Sequence, residues 1–528
     1  MGGPAFGGDG GDGVLSVSDL ESAFAQLRKH AMLGGDGVCT GSLAVLFSNF
    51  PDTVTQVMNN FLSDPSQIKA EEVFGFAKGK ESSFPTPSKV RVILPQNAIL
   101  TICDAAIAQK LHVYTDMLVP PSNDVYVGAR PGTQCADIAF ACHMVVEKSL
   151  DDNSRGALSQ SDIGQFYDNL PVLSIAQWLV ERGVPHQLLQ AVVQIQLCTR
   201  VFVRVGEASA EIGLRVKGGL TGSRLAGALA RIPAELAASA THAVIQRHGY
   251  KIGQHRIGVA LWVDNCFALG NCLSGAIEIQ EAFEKALVDG WGLQVKDGSR
   301  SCLAPSGSQE CTPDGTRWPQ GQLFEVLGHT ISCTGAIRPS WQRCKAKMWG
   351  AFYANFGGPA IKKAPVSRKM KCIERCVRPM MSYRCSIWPP QKQIAKEMDA
   401  VQRKMIAIVC PIRRGPGEDS EQYARRKGRQ ASGLAREAGT WSDHWFKKAL
   451  AWDEHVHRSR SGCKWNLSLL SFHDTSWLQQ QRFVFAAVAP TRLNPWTMFA
   501  GRTGTRAAAG KVQPRWQEAV HKVRNRSL

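Results

Sequence analysis

No C-x-x-C pair occurs among the 16 cysteines, and Cys372-x-x-x-Cys376 has no His or Cys partner at zinc-ligand spacing. His455, His457 and Cys463 are too irregularly spaced to make a metal site. The cysteines therefore read as free thiols in a reducing compartment. No apolar run approaches the ~20 residues of a membrane span. Residues 1–13 are rich in Gly and Asp without an apolar core, so no secretory leader is expected there and the protein is expected to be intracellular. The phosphate-loop pattern G-x-x-x-x-G-K-[ST] is missing, which argues against a nucleoside triphosphatase. The dinucleotide fingerprint is missing as well, because no strand precedes the Gly-rich leader.

What is present is a long chain with divided charge. Its 528 residues, 44% of them hydrophobic, suffice for two to four domains with substantial cores. The formal charge of +18 separates into −6 for residues 1–340 and +24 for residues 341–528. A basic C-terminal part suits a polyanion, since cations on phosphates release counterions. Ten of the 14 Trp also lie after residue 340. Beside Lys and Arg they could stack on bases, but helical core is the preferred reading for most of them.

Two acidic segments carry the chemistry. Asp162-Ile-Gly-Gln-Phe-Tyr-Asp168 follows a predicted strand, and Trp262-Val-Asp-Asn265 follows the alternation of Ile257, Val259, Leu261 and Val263. Phe267 and Leu269 resume that alternation, so Asp264-Asn265 is placed at a hairpin tip. Between the two lies Lys217-Gly-Gly-Leu-Thr-Gly-Ser-Arg224, which opens a helix over residues 223–248 with a kink expected at Pro233. Further helices are predicted over 135–150 and from Ser274, as cap, to Gly290. Asp168 is expected to cap the helix beginning near Asn169 and Pro171. Trp291-Gly-Leu-Gln-Val-Lys296 and Val326-Leu-Gly-His-Thr-Ile331 follow.

This ordered series resembles the palm motifs of reverse transcriptases, most closely those of non-LTR (LINE-type) retrotransposons. The resemblance covers roughly residues 85–455. It implies an α+β right-hand polymerase fold: fingers over 81–158, a palm of antiparallel sheet backed by helices over 159–339, and a helical thumb over 340–440. Residues 1–80 form an extension to which the sequence assigns no role, and 441–528 a basic, Trp-rich region. It further implies RNA-directed DNA synthesis, joining a dNTP to a DNA primer 3′-hydroxyl on an RNA template with Mg²⁺ or Mn²⁺, in the nucleus. By position within the motifs, Asp162 and Asp264 are the catalytic pair. The implied metal ligands are Asp162, Ile163, Asp264 and Asn265, hard oxygen donors of the kind such ions require.

For the nucleotide, the resemblance points to Tyr167, Thr221, Gly222, Arg91 and Arg300. Tyr167 stands where reverse transcriptases place an aromatic ring against the 2′-hydroxyl of a ribonucleotide. For nucleic acid, the candidates are Lys345, Lys347, Lys362, Lys363, Arg368 and Lys369. Three departures from the family pattern keep other readings open. Asn265 replaces the usual second Asp, Thr221-Gly222 replaces a Gln-Gly pair, and the Lys expected after Gly292-Leu-Gln-Val-Lys296 is missing, with Ser299 or Arg300 nearest in register. The alternatives are a catalytically inactive, RNA-binding scaffold of the same fold and an RNA-directed RNA polymerase. No endonuclease domain is recognisable, and protein partners are not legible.

Overall fold

In the computed structural model the described residues are 13–27, 38–63, 74–77, 90–93, most of 96–305, most of 318–458, and Trp465. The expected N-terminal leader, the 82–88 linker and all but Trp465 of residues 459–528 lie outside them. Among the described residues no helix is long and apolar enough to cross a membrane, and the cysteines form no disulfide.

The centre is a five-stranded sheet. Its strands are β1 (Val125–Val127), β2 (Ala157–Asp162), β3 (Val259–Trp262), β4 (Asn265–Gly270) and β5 (Ser301–Leu303), in the spatial order β5-β2-β4-β3-β1. All neighbours are antiparallel except β1 and β3. Side chains alternate between faces at a period of two. Hence Val259, Leu261, Cys266 and Ala268 enter one core, and Ala260, Phe267 and Leu269 the other.

On the first face lie α1 (Ala98–Leu118), α3 (Arg224–Ala240) and α4 (Leu273–Trp291), with α4 against β2 and β4. The N-terminal helices Val17–Gln26 and Pro51–Ser63 join this core through Leu20, Ala23, Met58 and Leu62. On the second face lies α2 (Cys135–Asp151), followed outward by α5 (Arg338–Phe356), α6 (Lys392–Val409), α7 (Ser420–Ala438) and α8 (Trp441–Arg458). Trp341, Trp441 and Trp445 are fully buried there and Trp452 nearly so, so these rings build core. The sheet is thus covered on both faces, not one. A single core runs from Phe267 through α2 into α5, α6 and α8, across the expected palm–thumb boundary.

Several local expectations shift. Residues 223–248 divide at Thr241 into α3 and a short helix, His242–His248. The helix expected to start at Ser274 starts at Leu273, with the Cys272 thiol accepting from Gly275 N–H. Asp168 does not cap: it is exposed in the turn Phe166–Asn169, which opens from Gln165 at φ +47°. Two hairpins went unread, Arg200–Val205 with Ala208–Leu214 and Tyr250–Ile252 with His255–Ile257. The second interrupts what alternation alone suggests is one strand from Ile257.

Candidate active site

Asp162 closes β2, and Asn265 opens β4 directly opposite it, so both side chains leave the same face of the sheet. The two-residue turn Val263-Asp264 joins β3 to β4, with Val263 at φ +56°. A β-branched residue at positive φ is strained by roughly 1–3 kcal/mol, and packing must hold it there. Val263 packs against the α1/α3/α4 core, and Ile163 N–H donates to the Asp264 carbonyl at 2.8 Å. The strain is therefore fixed beside a carboxylate.

The Asp162 and Asp264 carboxyls converge to within hydrogen-bonding reach. Burial raises the Asp162 pKa, the Asp264 charge raises it further, and Lys296 opposes both, its Nζ 3.9 Å from Asp162 Oδ2. Asp162 Oδ1 is buried with no hydrogen-bond partner. A carboxylate with an orphaned buried oxygen, beside a second carboxylate, suits a divalent cation, so the donor set fits Mg²⁺ or Mn²⁺. Among the described residues no group of three or more His, Cys, Asp or Glu side chains gathers to hold a metal, so two acids are what the site offers. Asn265 does not add a charge: its Nδ2 donates to Asp264 Oδ1 at 2.8 Å.

Lys296 is the residue that motif reading passed over. Lys296 N–H donates to the Asp162 carbonyl at 2.8 Å, and Ser299 Oγ accepts from Asp162 N–H at 3.1 Å. Its signal was its place at the end of the Gly292-Leu-Gln-Val segment, beside rather than beyond the motif. Arg300, the other residue in that register, turns away: it pairs with Glu284 of α4, Nε to Oε2 2.9 Å. Glu284 is buried, and a buried carboxylate needs a cation more than the solvent-facing site does.

Tyr167 is half-buried beside Phe166, and burial and the Asp264 charge raise its hydroxyl pKa. With Val263 it lines a cavity of about 600 Å³ between α1, α3 and the ends of β1 and β3. Arg231 crosses the wall of that cavity, Nε to Glu235 Oε1 2.7 Å and Nη2 to Asp116 Oδ1 2.7 Å, while Arg130 reaches Glu235 at 2.5 Å. Burial, then the Arg231 charge, lowers the His112 pKa to about 4. Only the Arg231/Glu235 pair, at i and i+4, was findable from spacing.

Thr221 and Gly222 stand in the loop before α3, Thr221 half-buried and Gly222 exposed at φ +100°. The loop is tied to Tyr167, whose carbonyl accepts from Gly219 N–H at 2.6 Å. A Cβ at Gly219 would meet Ala226 Cβ at 2.8 Å, so only glycine fits. Arg91 lies on strand Val90–Ile93, opposite Phe76. Lys347, Lys362, Lys363 and Arg368 are exposed and Lys345 is half-exposed. Lys369 is buried, at 6% exposure, and so offers little to a phosphate.

The fold and site together define an α+β protein, mostly helical, with a mixed sheet that brings two carboxylates together at its strand ends. No protein-family model and no curated protein matches the chain. Among solved structures it is similar to apo telomerase from Candida tropicalis truncated from its C-terminal domain, with a TM-score of 0.35 and 11% identity over 52% of this chain. The match spans about half of that chain, 55%. A likeness at this level carries no argument about activity.

Proposed function

We propose that this protein is an RNA-directed DNA polymerase of the non-LTR retrotransposon type, extending a DNA primer on an RNA template with dNTPs. The observation that carries the reading is the convergence of Asp162 and Asp264, one acid with an orphaned buried oxygen. Asp162 and Asp264 would hold Mg²⁺ or Mn²⁺, which when bound activates the primer hydroxyl and stabilises the leaving pyrophosphate. The protein's own groups have separate tasks. Lys296 offsets the paired negative charge, and Val263 and Ile163 hold Asp264 in register. Tyr167 sets its ring at the cavity edge, where a ribose 2′-hydroxyl would collide with it, and so favours dNTPs. Nuclear location, fingers over 81–158, palm over 159–339 and thumb over 340–440 belong to the same proposal.

A second reading, an RNA-binding scaffold without catalysis, is favoured by Asn265, whose amide occupies an Asp264 oxygen in place of a third acid. Primer extension on poly(rA)/oligo(dT), with dTTP against UTP and Mg²⁺ against Mn²⁺, separates the readings. The expected result is dTTP incorporation that falls on the order of a thousandfold in Asp162→Ala and Asp264→Ala. Tight RNA binding without incorporation supports the scaffold. UTP used in preference to dTTP supports RNA synthesis. Incorporation that survives Asp264→Ala removes the site.

A further inference from the structure

Asp104, in the second turn of α1, is a carboxylate buried to 2% exposure. Burial raises its pKa, and hydrogen bonds from Ser223 and the backbone of Arg224 oppose the rise. Ser223 Oγ donates to Asp104 Oδ1 at 2.5 Å, and Arg224 N–H donates to Oδ2 at 2.8 Å. The same hydroxyl accepts from Gln196 Nε2 at 3.1 Å and from Ala226 N–H at 3.0 Å, so its one donor and two acceptor positions are all in use. Gln196 is fully buried, and its Oε1 accepts from Leu220 N–H at 2.7 Å.

A helix start needs no such arrangement. A lone Ser cap already satisfies an N-terminal donor at a value of ~1 kcal/mol. The buried acid ties α1 to the Ser223 end of the Leu220–Ser223 turn, which contains Thr221 and Gly222, and Gln196 joins the same hydroxyl to the Leu220 end. One residue earlier, Gly219 N–H holds the Tyr167 carbonyl. Three elements distant in sequence, α1, helix His186–Leu197 and the loop before α3, are thereby tied to the backbone of Tyr167, whose hydroxyl feels the Asp264 charge.

We propose that Asp104, through Ser223 and Gln196, is the positioning residue that fixes the Thr221-Gly222 loop and the Tyr167 ring and so sets the discrimination between deoxyribo- and ribonucleotides. The inference rests on the polymerase reading above. It gives the buried Asp104 a task that neither metal binding nor core packing requires. A networked polar group is strong when every member is satisfied, and loss of one member frees the rest. A shift below an ångström at Tyr167 then changes how the sugar is admitted without touching the carboxylate pair.

The test uses the full chain in steady-state primer extension with dTTP and UTP, beside thermal unfolding of each variant. Asp104→Asn and Ser223→Ala should each raise the KM for dTTP and lower the dTTP-over-UTP preference on the order of tenfold, with a much smaller change in kcat. Ser223→Thr keeps the hydroxyl and should restore the preference. Because Ser223→Ala also removes a partner of the buried Asp104, the unfolding curves and Ser223→Thr, which keeps the hydroxyl, separate a folding defect from lost positioning. A fall in kcat or in melting temperature with the sugar preference unchanged would overturn the proposal and reduce Asp104 to a structural brace. Absence of incorporation by the wild type would instead overturn the polymerase reading, and this inference with it.

Discussion

Replacing Asp264 by Asn should stabilise the metal-free protein while removing its response to divalent cations. The two carboxylates lie within hydrogen-bonding reach, and Asp162 is half-buried, its side chain 32% exposed. Two unit charges at roughly 4 Å repel by about 1 kcal/mol in water and about 4 kcal/mol at an effective dielectric of about 20. Solvent contact and Lys296 place this pair toward the lower figure, so Asp264→Asn should raise stability in EDTA by about 1 kcal/mol. For a chain of this size that is a shift in Tm of about 2 °C.

The pH dependence has a definite sign. A carboxyl whose pKa is raised by folding contributes stability below its unfolded value and loses it as pH rises through the folded value. The variant's advantage should therefore be absent near about pH 4 and developed at about pH 8. Wild type should gain about 1.4 kcal/mol from Mn²⁺ at ten times its dissociation constant, and Asp264→Asn should gain far less. Differential scanning fluorimetry across pH, with EDTA or Mn²⁺, measures all three quantities. A variant that is less stable in EDTA, or that responds to Mn²⁺ as wild type does, would refute the shared-cation geometry.

Other perturbations follow from the same structure. His329 is buried with both ring nitrogens unpartnered, and burial lowers its pKa to about 3. The unfolded chain takes up this proton near pH 6.5 and the folded one does not, so stability should fall by up to about 1.4 kcal/mol per pH unit below about 6.5. His329→Phe should flatten that limb in acid-unfolding curves. Arg300→Ala leaves the buried Glu284 without its cation and should cost about 2 kcal/mol in denaturant titrations while changing the KM for dTTP little. Nucleic-acid affinity should fall steeply with salt, and charge reversal at Lys347, Lys362, Lys363 or Arg368 should each reduce the log–log slope by about 0.9 in filter binding. Lys369→Glu should instead destabilise the helical core through its buried position in the helix Val366–Cys372, a loss visible by circular dichroism without RNA. Deletion after Pro339 is the wrong tool for mapping the basic surface, because Trp341, Trp441 and Trp445 complete the core under Phe267.

The sequence alone determined which residues could meet and in what order. Period-two alternation marked β3 and β4 and helical spacing marked α2 and α4, because these are local patterns that the backbone obeys, whereas the carboxylate pair was legible only through the resemblance of the ordered motifs to those of reverse transcriptases. Charge asymmetry and the Trp excess were equally plain. Tertiary structure decided everything that depends on distant segments meeting. It brought Lys296 to Asp162, diverted Arg300 to Glu284, buried Lys369 and covered the second face of the sheet. The Asp104–Ser223–Gln196 chain joins residues 27 and more positions apart, and no periodicity encodes it. A side chain's partner is fixed by burial and by competition among all charges within reach, and those quantities exist only once the chain has folded.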